Sequence, residues 1–459
     1  MPRTPAPPDV TAAPARTRTL TRSIGVGGGT LLTLSCVTPA SSLFVLVPPL
    51  FADLGTGTAL AIALAVLLCV GIAFCYSELG TLVPSSGGEY AMVTTVANRF
   101  AGWLTFMLSF VVILVVPPII AIGVADYLAA VADVSPSAAG ALVMLAGTVM
   151  GLLNLRSNAW ITGIFLVIEI VAVFVVSLLG FTHTTQSPAV LLKPALGPSG
   201  IGLIAVVAGL AVALFVVQGF STAVYLAEEM REPRRTVART VFWTLGISAV
   251  VILVPVVAIT LAMPDTAALA GVDLTALVTS WSTSAVGVAI SLCIAAAIVN
   301  AVIVMVVQNS RVLYASARDQ AWPAPVNRAM SVVGARFGSP WVATLVTGLS
   351  EAVLCFVPVD TLSGVTGVAV VALYLSVSAA ALGARRAAHR KPHVWRMPAW
   401  PLVPALAVAA LAYVLVEQSA LDLGITAGVL VVAALYWWGY LRRRPARWVV
   451  TVPSPSDGP

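Results

Sequence analysis

The sequence predicts an all-α integral membrane protein with about twelve transmembrane helices. Composition is the first reason: of 459 residues, 59% are hydrophobic and only 9% are charged, whereas a soluble domain carries about 25% charged residues. The second reason is that apolar runs recur from Ile24 to Tyr440, each close to the roughly 20 residues that cross a bilayer. The third is the placement of the basic residues. Because the net charge of +6 has no soluble domain to carry it, a nucleic-acid-binding protein is excluded.

The apolar runs divide the chain into one membrane domain between two tails. Residues 1–22, rich in Pro, Thr, Ala and Arg, are predicted to form a disordered cytoplasmic tail. Residues 23–441 are predicted to form the transmembrane domain, and residues 442–459 a cytoplasmic C-terminal tail. The predicted spans are 24–50, 59–80, 100–131, 137–153, 159–181, 200–226, 240–263, 283–315, 341–357, 362–384, 401–416 and 425–441.

The basic residues predict which side of the membrane each loop faces. If the N-terminus is cytoplasmic and the spans alternate, 23 of the 24 Lys and Arg residues fall in cytoplasmic segments, and only Lys193 falls outside. The opposite loops carry aspartates, namely Asp53, Asp133, Asp265, Asp273, Asp360 and Asp422. Because Lys and Arg are enriched in cytoplasmic loops, we expect a multi-pass protein of the cell membrane with both termini in the cytoplasm.

Two predicted spans are interrupted near their middle by small and polar residues. The first span contains the sequence S-C-V-T-P-A-S-S at Ser35–Ser42, and the sixth contains Q-G-F-S-T at Gln218–Thr222. Because they lie five helices apart, the two halves of the chain would have opposite orientations. Paired interruptions in two inverted halves indicate a binding site at the bilayer midplane, since unwound backbone at that depth must line a cavity or be buried in protein. A simple proline kink at Pro39 is the alternative for the first span.

Interrupted helices suit a ligand that carries both charges. A half-helix that begins at a break offers free N–H groups to a carboxylate, and one that ends there offers free carbonyls to an ammonium group. An α-amino acid presents both groups close together, whereas an amine would use the carbonyls alone. The predicted substrate-binding residues are Thr38, Pro39, Ala40, Ser41, Ser42, Gln218, Gly219, Phe220 and Ser221.

Three stretches resemble the amino acid–polyamine–organocation transporter superfamily. Cys75–Tyr90 reads C-Y-S-E-L-G-T-L-V-P-S-S-G-G-E-Y, which is similar to a family signature at the end of the second helix. Gln218–Pro233 reads Q-G-F-S-T-A-V-Y-L-A-E-E-M-R-E-P, and Ser310–Pro323 reads S-R-V-L-Y-A-S-A-R-D-Q-A-W-P; both resemble elements of the sixth and eighth helices of the family.

The resemblance implies a fold of five plus five inverted-repeat helices with two extra helices, and a substrate held between broken first and sixth helices. It aligns Ser41, Ser42, Leu43 and Phe44 with the small-small-apolar-Phe stretch of the family's first helix. The chain departs from the family at Ser42, where a second glycine is usual. It also departs at Gln218, where an Asp is frequent, so one carboxylate is missing from the predicted site.

Two acids lie inside predicted spans, Glu169 in the fifth and Glu351 in the ninth. A charge at that depth costs at least about 2.5–3.5 kcal/mol, so both are candidates for function. The resemblance implies that the Glu169 position can hold an ionisable residue tied to coupling. We therefore predict proton coupling at Glu169, with a structural carboxyl as the alternative. A structural role is favoured for Glu351 because the ninth helix is peripheral in this fold.

Charged residues near the cytoplasmic helix ends suggest an inner gate. Glu228 or Glu229 is predicted to pair with Arg318 when the site faces outward, with ordinary interfacial charge as the alternative.

Trp103 is expected to anchor its helix at the membrane interface. No phosphate-binding loop and no metal-ligand pattern is present in the sequence, so neither ATP-driven transport nor a cofactor or metal is expected.

The predicted function is secondary active transport of amino acids by alternating access rather than catalysis. Neutral amino acids are favoured because the broken helices carry no charged residue at mid-span. The expected partners are the substrate, the lipid bilayer and protons, in symport or antiport. Two alternatives stay open: a transporter or exchanger of polyamines or other organic amines, and a membrane sensor that binds amino acids without moving them.

Overall fold

The computed structural model describes residues 20, 22–129, 133–153, 155–191, 203–264, 268–269, 272–334, 336–386 and 394–450. Within these ranges the chain is built from helices, and the sheet-like pairing found there is an isolated parallel bridge between Ile24 and Met230. Helices are the expected solution for a chain in lipid, because each helix satisfies its own backbone hydrogen bonds.

Seven helical stretches within the described residues are long and apolar enough to cross a membrane. They are Val26–Leu82, Arg99–Leu128, Trp160–Thr182, Ala205–Glu229, Pro233–Ala262, Ser284–Arg318 and Ala420–Leu441, and four shorter apolar helices are Pro136–Gly151, Trp341–Leu354, Val365–Ala381 and Leu402–Val416. The first stretch covers two predicted spans, and each of the others coincides with one. The count of twelve crossings and the inverted repeat stay predictions.

Both helices predicted to be broken are divided into shorter segments. The segments of the first are Val26–Val37, Pro39–Ser41, Ser42–Leu46 and Val47–Leu54, of which Ser42–Leu46 is wound as a π-helix. The segments of the sixth are Leu203–Ala208, Leu210–Val217 and the 3₁₀ helix Phe220–Glu229. Irregular winding of this kind is often found at functional sites.

The remaining helices surround these two. They are Thr58–Leu82, Glu89–Val96, Arg99–Ile122, Val124–Leu128, Pro136–Gly151, Leu155–Thr182, Pro233–Ala262, Leu274–Trp281, Ser284–Arg318, Ala324–Met330, Trp341–Leu354, Val359–Ala381, Leu402–Val416 and Ala420–Tyr436, the last continued by the π-helical turn Trp437–Leu441. The helix Ser284–Arg318 lies in the interior and contacts both broken helices. Apolar side chains such as Trp160, 73% exposed, cover the outer surface, as a lipid-facing surface requires.

The expectation for Trp103 is wrong. This side chain is 1% exposed, and its indole N–H donates a hydrogen bond to the carbonyl of Ala433 at 2.7 Å. The helix Ala420–Tyr436 covers the indole and supplies the acceptor that a buried indole needs. Trp103 therefore joins two helices in the interior.

Candidate functional site

The first interruption is centred on Thr38. This residue adopts left-handed backbone angles, φ 46° and ψ 71°, and Pro39 begins the next helical segment. Proline has no N–H to donate and disfavours helical angles in the residue before it, which explains the break. Ser42 replaces part of the lost backbone bonding, because its hydroxyl donates to the carbonyl of Val37 at 2.8 Å. The first interruption is therefore an unwound turn with its own hydrogen bonds.

The second interruption lies at Gln218 and Gly219. Gly219 has φ 119°, a conformation that residues with a side chain rarely adopt. A Cβ atom at Gly219 would lie 2.9 Å from both the N and Cα atoms of Val37. The backbones of the two broken helices therefore touch at their interruptions, as the predicted site requires.

A small cavity of about 50 Å³ lies between the two interruptions. Such a volume holds a few water molecules. Five predicted binding residues line it: Thr38, Ser42, Gln218, Gly219 and Ser221. The other four predicted residues are buried beside it, and of these Phe220 packs its ring 6.1 Å from the ring of Tyr374. Within the described ranges, no three His, Cys, Asp or Glu side chains gather as metal ligands.

One wall of the cavity is apolar. It consists of Val112, Ile113, Val116, Pro117 and Ile120 from the helix Arg99–Ile122, with Met305 from the helix Ser284–Arg318. The sequence analysis did not select these residues, because an apolar residue in a membrane helix looks the same whether it faces a cavity, a neighbouring helix or lipid.

Glu89 also lines the cavity, and the sequence analysis did not place it there. Gly88, at φ 56°, turns the chain into the protein, and a Cβ atom there would lie 2.5 Å from the ring of Tyr225. Glu89 is consequently buried, and its Oε1 accepts a hydrogen bond from the hydroxyl of Tyr76 at 3.0 Å. Glu89 lies outside the span-length helices, and its burial raises the pKa of the carboxyl to about 7. The two glycines that precede Glu89 are the sequence signal that could have indicated this inward turn.

Glu169 joins the first interruption to the helix Ser284–Arg318. Its carboxylate accepts hydrogen bonds from the amide of Asn300 at 3.1 Å and from the hydroxyl of Thr38 at 3.5 Å. The backbone N–H of Ala40 also interacts with this carboxylate. Glu169 is fully buried and does not line the cavity itself. A change in its charge would therefore act on the unwound turn rather than directly on a bound molecule.

Glu351 is connected to the cavity through Asn309. The amide of Asn309 donates to Glu351 Oε1 at 3.1 Å and to the carbonyl of Ile113 at 2.8 Å, and Asn309 lines the cavity. Oε2 of Glu351 has no hydrogen-bond partner among the described residues. Both amide hydrogens of Asn309 are thus used within the protein, which leaves its oxygen for the cavity.

Two neighbouring ion pairs lie at one end of the broken helices. Arg318 donates to Glu228 at 2.6 Å, and Arg311 donates to Glu229 at 2.9 Å. The hydroxyl of Ser85 donates to Glu228 at 3.2 Å, and Arg318 contacts the Ser85 oxygen at 3.3 Å. We call Ser85, Glu228 and Arg318 the gate cluster, after the inner gate that the sequence predicts at this end. The sequence left the partner of Arg318 open between the two glutamates, and in the structure it is Glu228.

A comparison with known families decides where this architecture belongs. The family model described as "Amino acid permease" matches residues 24–438. The chain belongs to the amino acid permease family. The resemblance to the amino acid–polyamine–organocation superfamily is thereby confirmed.

Curated relatives of this permease are transporters at low sequence identity. The chain is 24% identical over 428 residues to the branched-chain amino acid permease BcaP of Bacillus subtilis, covering 87% of this chain and 89% of the relative. It is 23% identical over 424 residues to the methylthioribose transporter of the same organism, with coverage of 87% and 88%. A mouse relative, Asc-type amino acid transporter 1, is 27% identical over 183 residues, with coverage of 37% and 34%.

The three motif stretches of the permease meet in the gate cluster. Ser85 belongs to Cys75–Tyr90, Glu228 to Gln218–Pro233 and Arg318 to Ser310–Pro323. Stretches that are far apart in the sequence therefore contribute one residue each to a single group of hydrogen bonds. This explains why three separate motifs occur together in one chain.

Proposed function

We propose that this permease is a secondary active transporter of neutral amino acids that works by alternating access in the cell membrane. Both termini are in the cytoplasm, and uptake is coupled to protons at Glu169. The observation that carries the proposal is the cavity enclosed by the two interruptions, with Glu169 hydrogen-bonded to the residue at the first of them.

The backbone at the two interruptions binds the amino and carboxyl groups of the substrate. The segment Val26–Val37 ends at the cavity and the helix Phe220–Glu229 begins there. A helix end carries unpaired carbonyls that suit an ammonium group, and a helix start carries unpaired N–H groups that suit a carboxylate. No side-chain charge is needed for a zwitterion, which agrees with Gln218 in place of an acid.

The apolar wall supports a neutral substrate with an apolar side chain. The side chains of Val112, Ile113 and Met305 offer dispersion contacts but no hydrogen bonds. The described residues that line the cavity include no Lys or Arg. The relative named as a branched-chain amino acid permease is consistent with this choice.

Glu89 favours the second candidate function, transport of an organic amine. When it is ionised, this carboxylate would attract a cationic group in the cavity that it lines. A thermal-shift screen of the purified protein against neutral amino acids, cationic amino acids and polyamines separates the two candidates. Stabilisation by neutral amino acids alone is expected, and stabilisation by polyamines alone would make the permease an amine transporter.

The position of Glu169 supports proton coupling. Protonation removes the cost of holding a charge in the membrane interior. It also weakens the acceptor for Thr38 and Asn300, so the unwound turn would be held differently in the two protonation states. A ligand or proton shifts a conformational equilibrium only if it interacts differently with the two states, and this contact supplies such a difference.

Proteoliposomes with an imposed pH gradient test the coupling. Glu169→Gln mimics the protonated form. We expect this variant to bind and exchange substrate but to accumulate no more substrate with the pH gradient than without it. Glu351→Gln is the matched control and should retain gradient-driven uptake, because Glu351 is a second buried carboxylate whose hydrogen bond comes from Asn309 and not from an interruption.

The outcomes separate the alternatives. Accumulation by Glu169→Gln in response to the gradient would make Glu169 structural, and failure of Glu351→Gln alone would move the coupling to Glu351. A wild-type protein that binds amino acids but ignores every gradient and exchanges nothing would be a sensor.

A further inference from the structure

The segment after the last helix packs against the protein rather than leaving it. Residues 442–450, here called the C-terminal strap, follow the helical turn that ends at Leu441. Within the strap, Trp448 is 0% exposed, although its neighbour Val449 is 53% exposed. A fully buried tryptophan fixes the strap in place, because its ring buries a large apolar surface.

Polar contacts fix the orientation of the Trp448 side chain and backbone. Its indole N–H donates to the carbonyl of Arg99 at 3.0 Å, and its own carbonyl accepts from Arg99 Nε at 3.2 Å. Arg99 also donates to the carbonyl of Arg447, and Arg447 donates to the carbonyl of Trp322 at 2.7 Å. The strap is therefore tied to two separate parts of the membrane domain.

The ring of Trp448 packs on the aromatic residue that supports the gate cluster. Its centroid lies 4.8 Å from the ring of Tyr90. The hydroxyl of Tyr90 donates to Asp319 Oδ2 at 3.0 Å, and Asp319 Oδ1 accepts from Arg318 Nε at 3.3 Å. The backbone N–H of Val449 donates to the carbonyl of Asp319 at 3.2 Å. The strap thus reaches the residue next to Arg318 along two routes.

We infer that the C-terminal strap is a latch for the inner gate, and that Trp448 is a positioning residue that acts through Tyr90 and Asp319 on the pair of Arg318 with Glu228. With the strap seated, Asp319 holds the Arg318 guanidinium from one side while Glu228 binds it from the other. Tyr90 packs on two rings, that of Trp448 and that of Phe106 at 5.4 Å. Loss of the Trp448 ring removes the first of these contacts, and the pair of Arg318 with Glu228 then opens more often. This inference rests on the proposed alternating-access function, since it concerns which side of the cavity opens.

Labelling of Cys36 measures this opening without any substrate. Cys36 lines the cavity, and replacing Cys69, Cys75, Cys293 and Cys355 with alanine leaves it as the single thiol. A membrane-impermeant thiol reagent is then added to sealed vesicles of either orientation. We call the face of the protein that carries Arg318 the gate side.

We expect Trp448→Ala to raise the labelling rate from the gate side by roughly fivefold and to lower it from the opposite side. The reason is that the conformation open to the gate side becomes more populated at the expense of the conformation open to the opposite side. Trp438→Ala is the matched control: it removes a tryptophan from the last helical turn that is 50% exposed. That variant should leave both rates unchanged.

Tyr90→Phe keeps the ring and the fold but removes the hydroxyl that binds Asp319. It should reproduce the effect of Trp448→Ala, and the double variant should show no further change, because both act along one chain of contacts. Equal rises on both faces would indicate general loosening and overturn the inference. Unchanged rates in Tyr90→Phe would overturn it even if Trp448→Ala fails to fold. If the labelling shifts as expected while no substrate is ever transported, the latch stands and the proposed function fails.

Discussion

Single residues at the two interruptions determine whether the cavity can form. Gly219 combines a φ of 119° with van der Waals contact to the backbone of Val37. Both features require glycine. These backbone angles are unfavourable for a residue with a side chain, and a Cβ atom would also collide with main-chain atoms that cannot rotate away. Thr38 adopts a left-handed conformation without being glycine. Its hydroxyl is shared between two acceptors, the Ser41 hydroxyl at 3.0 Å and Glu169 at 3.5 Å, and these contacts support the turn.

Substitution of Gly219 tests the site directly. We expect Gly219→Ala to weaken substrate affinity by about 5- to 150-fold, because strain of roughly 1–3 kcal/mol at this position must be relieved by moving Val37. Gly219→Leu should abolish binding while the protein still inserts into the membrane. Binding is measured by thermal shift or by equilibrium binding to purified protein.

The control for this series is Gly246→Ala. A Cβ atom at Gly246 would have no heavy atom from another described part of the chain within 4 Å, so Gly246→Ala should bind substrate as tightly as the wild type does. Unchanged affinity in Gly219→Leu would place the substrate elsewhere in the permease.

At the scale of elements, two adjacent ion pairs join the 3₁₀ helix Phe220–Glu229 to the helix Ser284–Arg318. They differ in burial: Arg311 and Glu229 are 1% and 4% exposed at the side chain, whereas Arg318 is 18% exposed. Breaking a buried pair leaves an uncompensated charge, which is strongly destabilising. A partly exposed pair has water as an alternative partner. We therefore expect the Arg311 pair to hold the two helices together and the Arg318 pair to separate during transport.

Glutamine substitution of the two arginines tests this division. Arg311→Gln should lower the free energy of unfolding by about 3–5 kcal/mol and reduce the yield of folded protein. Arg318→Gln should fold with a much smaller loss and should increase labelling of cavity residues from the gate side. Thermal unfolding and thiol labelling measure the two effects, and a stable Arg311→Gln beside an unfolded Arg318→Gln would reverse the assignment.

At the scale of the whole molecule, both ends of the described chain lie at the gate end. The backbone N–H groups of Ser23 and Ile24 donate to the carbonyl of Glu229 at 2.9 and 3.0 Å, and Val449 contacts Asp319 at the other end of the chain. Two ends of the described chain on the same side accord with an even number of crossings between them. The excess of basic residues in the same segments predicts that this end faces the cytoplasm.

Labelling of single cysteines at loop positions tests the topology. Ala276 and Ala329 are exposed and lie beyond opposite ends of the helix Ser284–Arg318. We expect Ala276→Cys to react with an impermeant reagent from outside the cell and Ala329→Cys only from the cytoplasmic side. Reaction of both positions from the same side would contradict the twelve-helix topology.

The sequence alone determined the features that depend on neighbouring residues. Apolar length predicts the helices because a span must satisfy its own backbone within lipid. Pro39 and Gly219 predict the interruptions because their backbone preferences are local. The motif stretches indicated the family, which the comparison confirmed.

Only the tertiary structure decided which distant residues meet. Glu89 enters the cavity because Gly88 turns the chain inward, and Arg318 pairs with Glu228 rather than Glu229 because of how two helices pack. Trp448, in a segment predicted as a tail, is buried against Tyr90, which lies more than 300 positions earlier in the chain. Such contacts have no local signature, because a side chain carries the same propensity whether its partner is present or not. Packing is therefore what turns a recognisable set of helices into a particular cavity and gate.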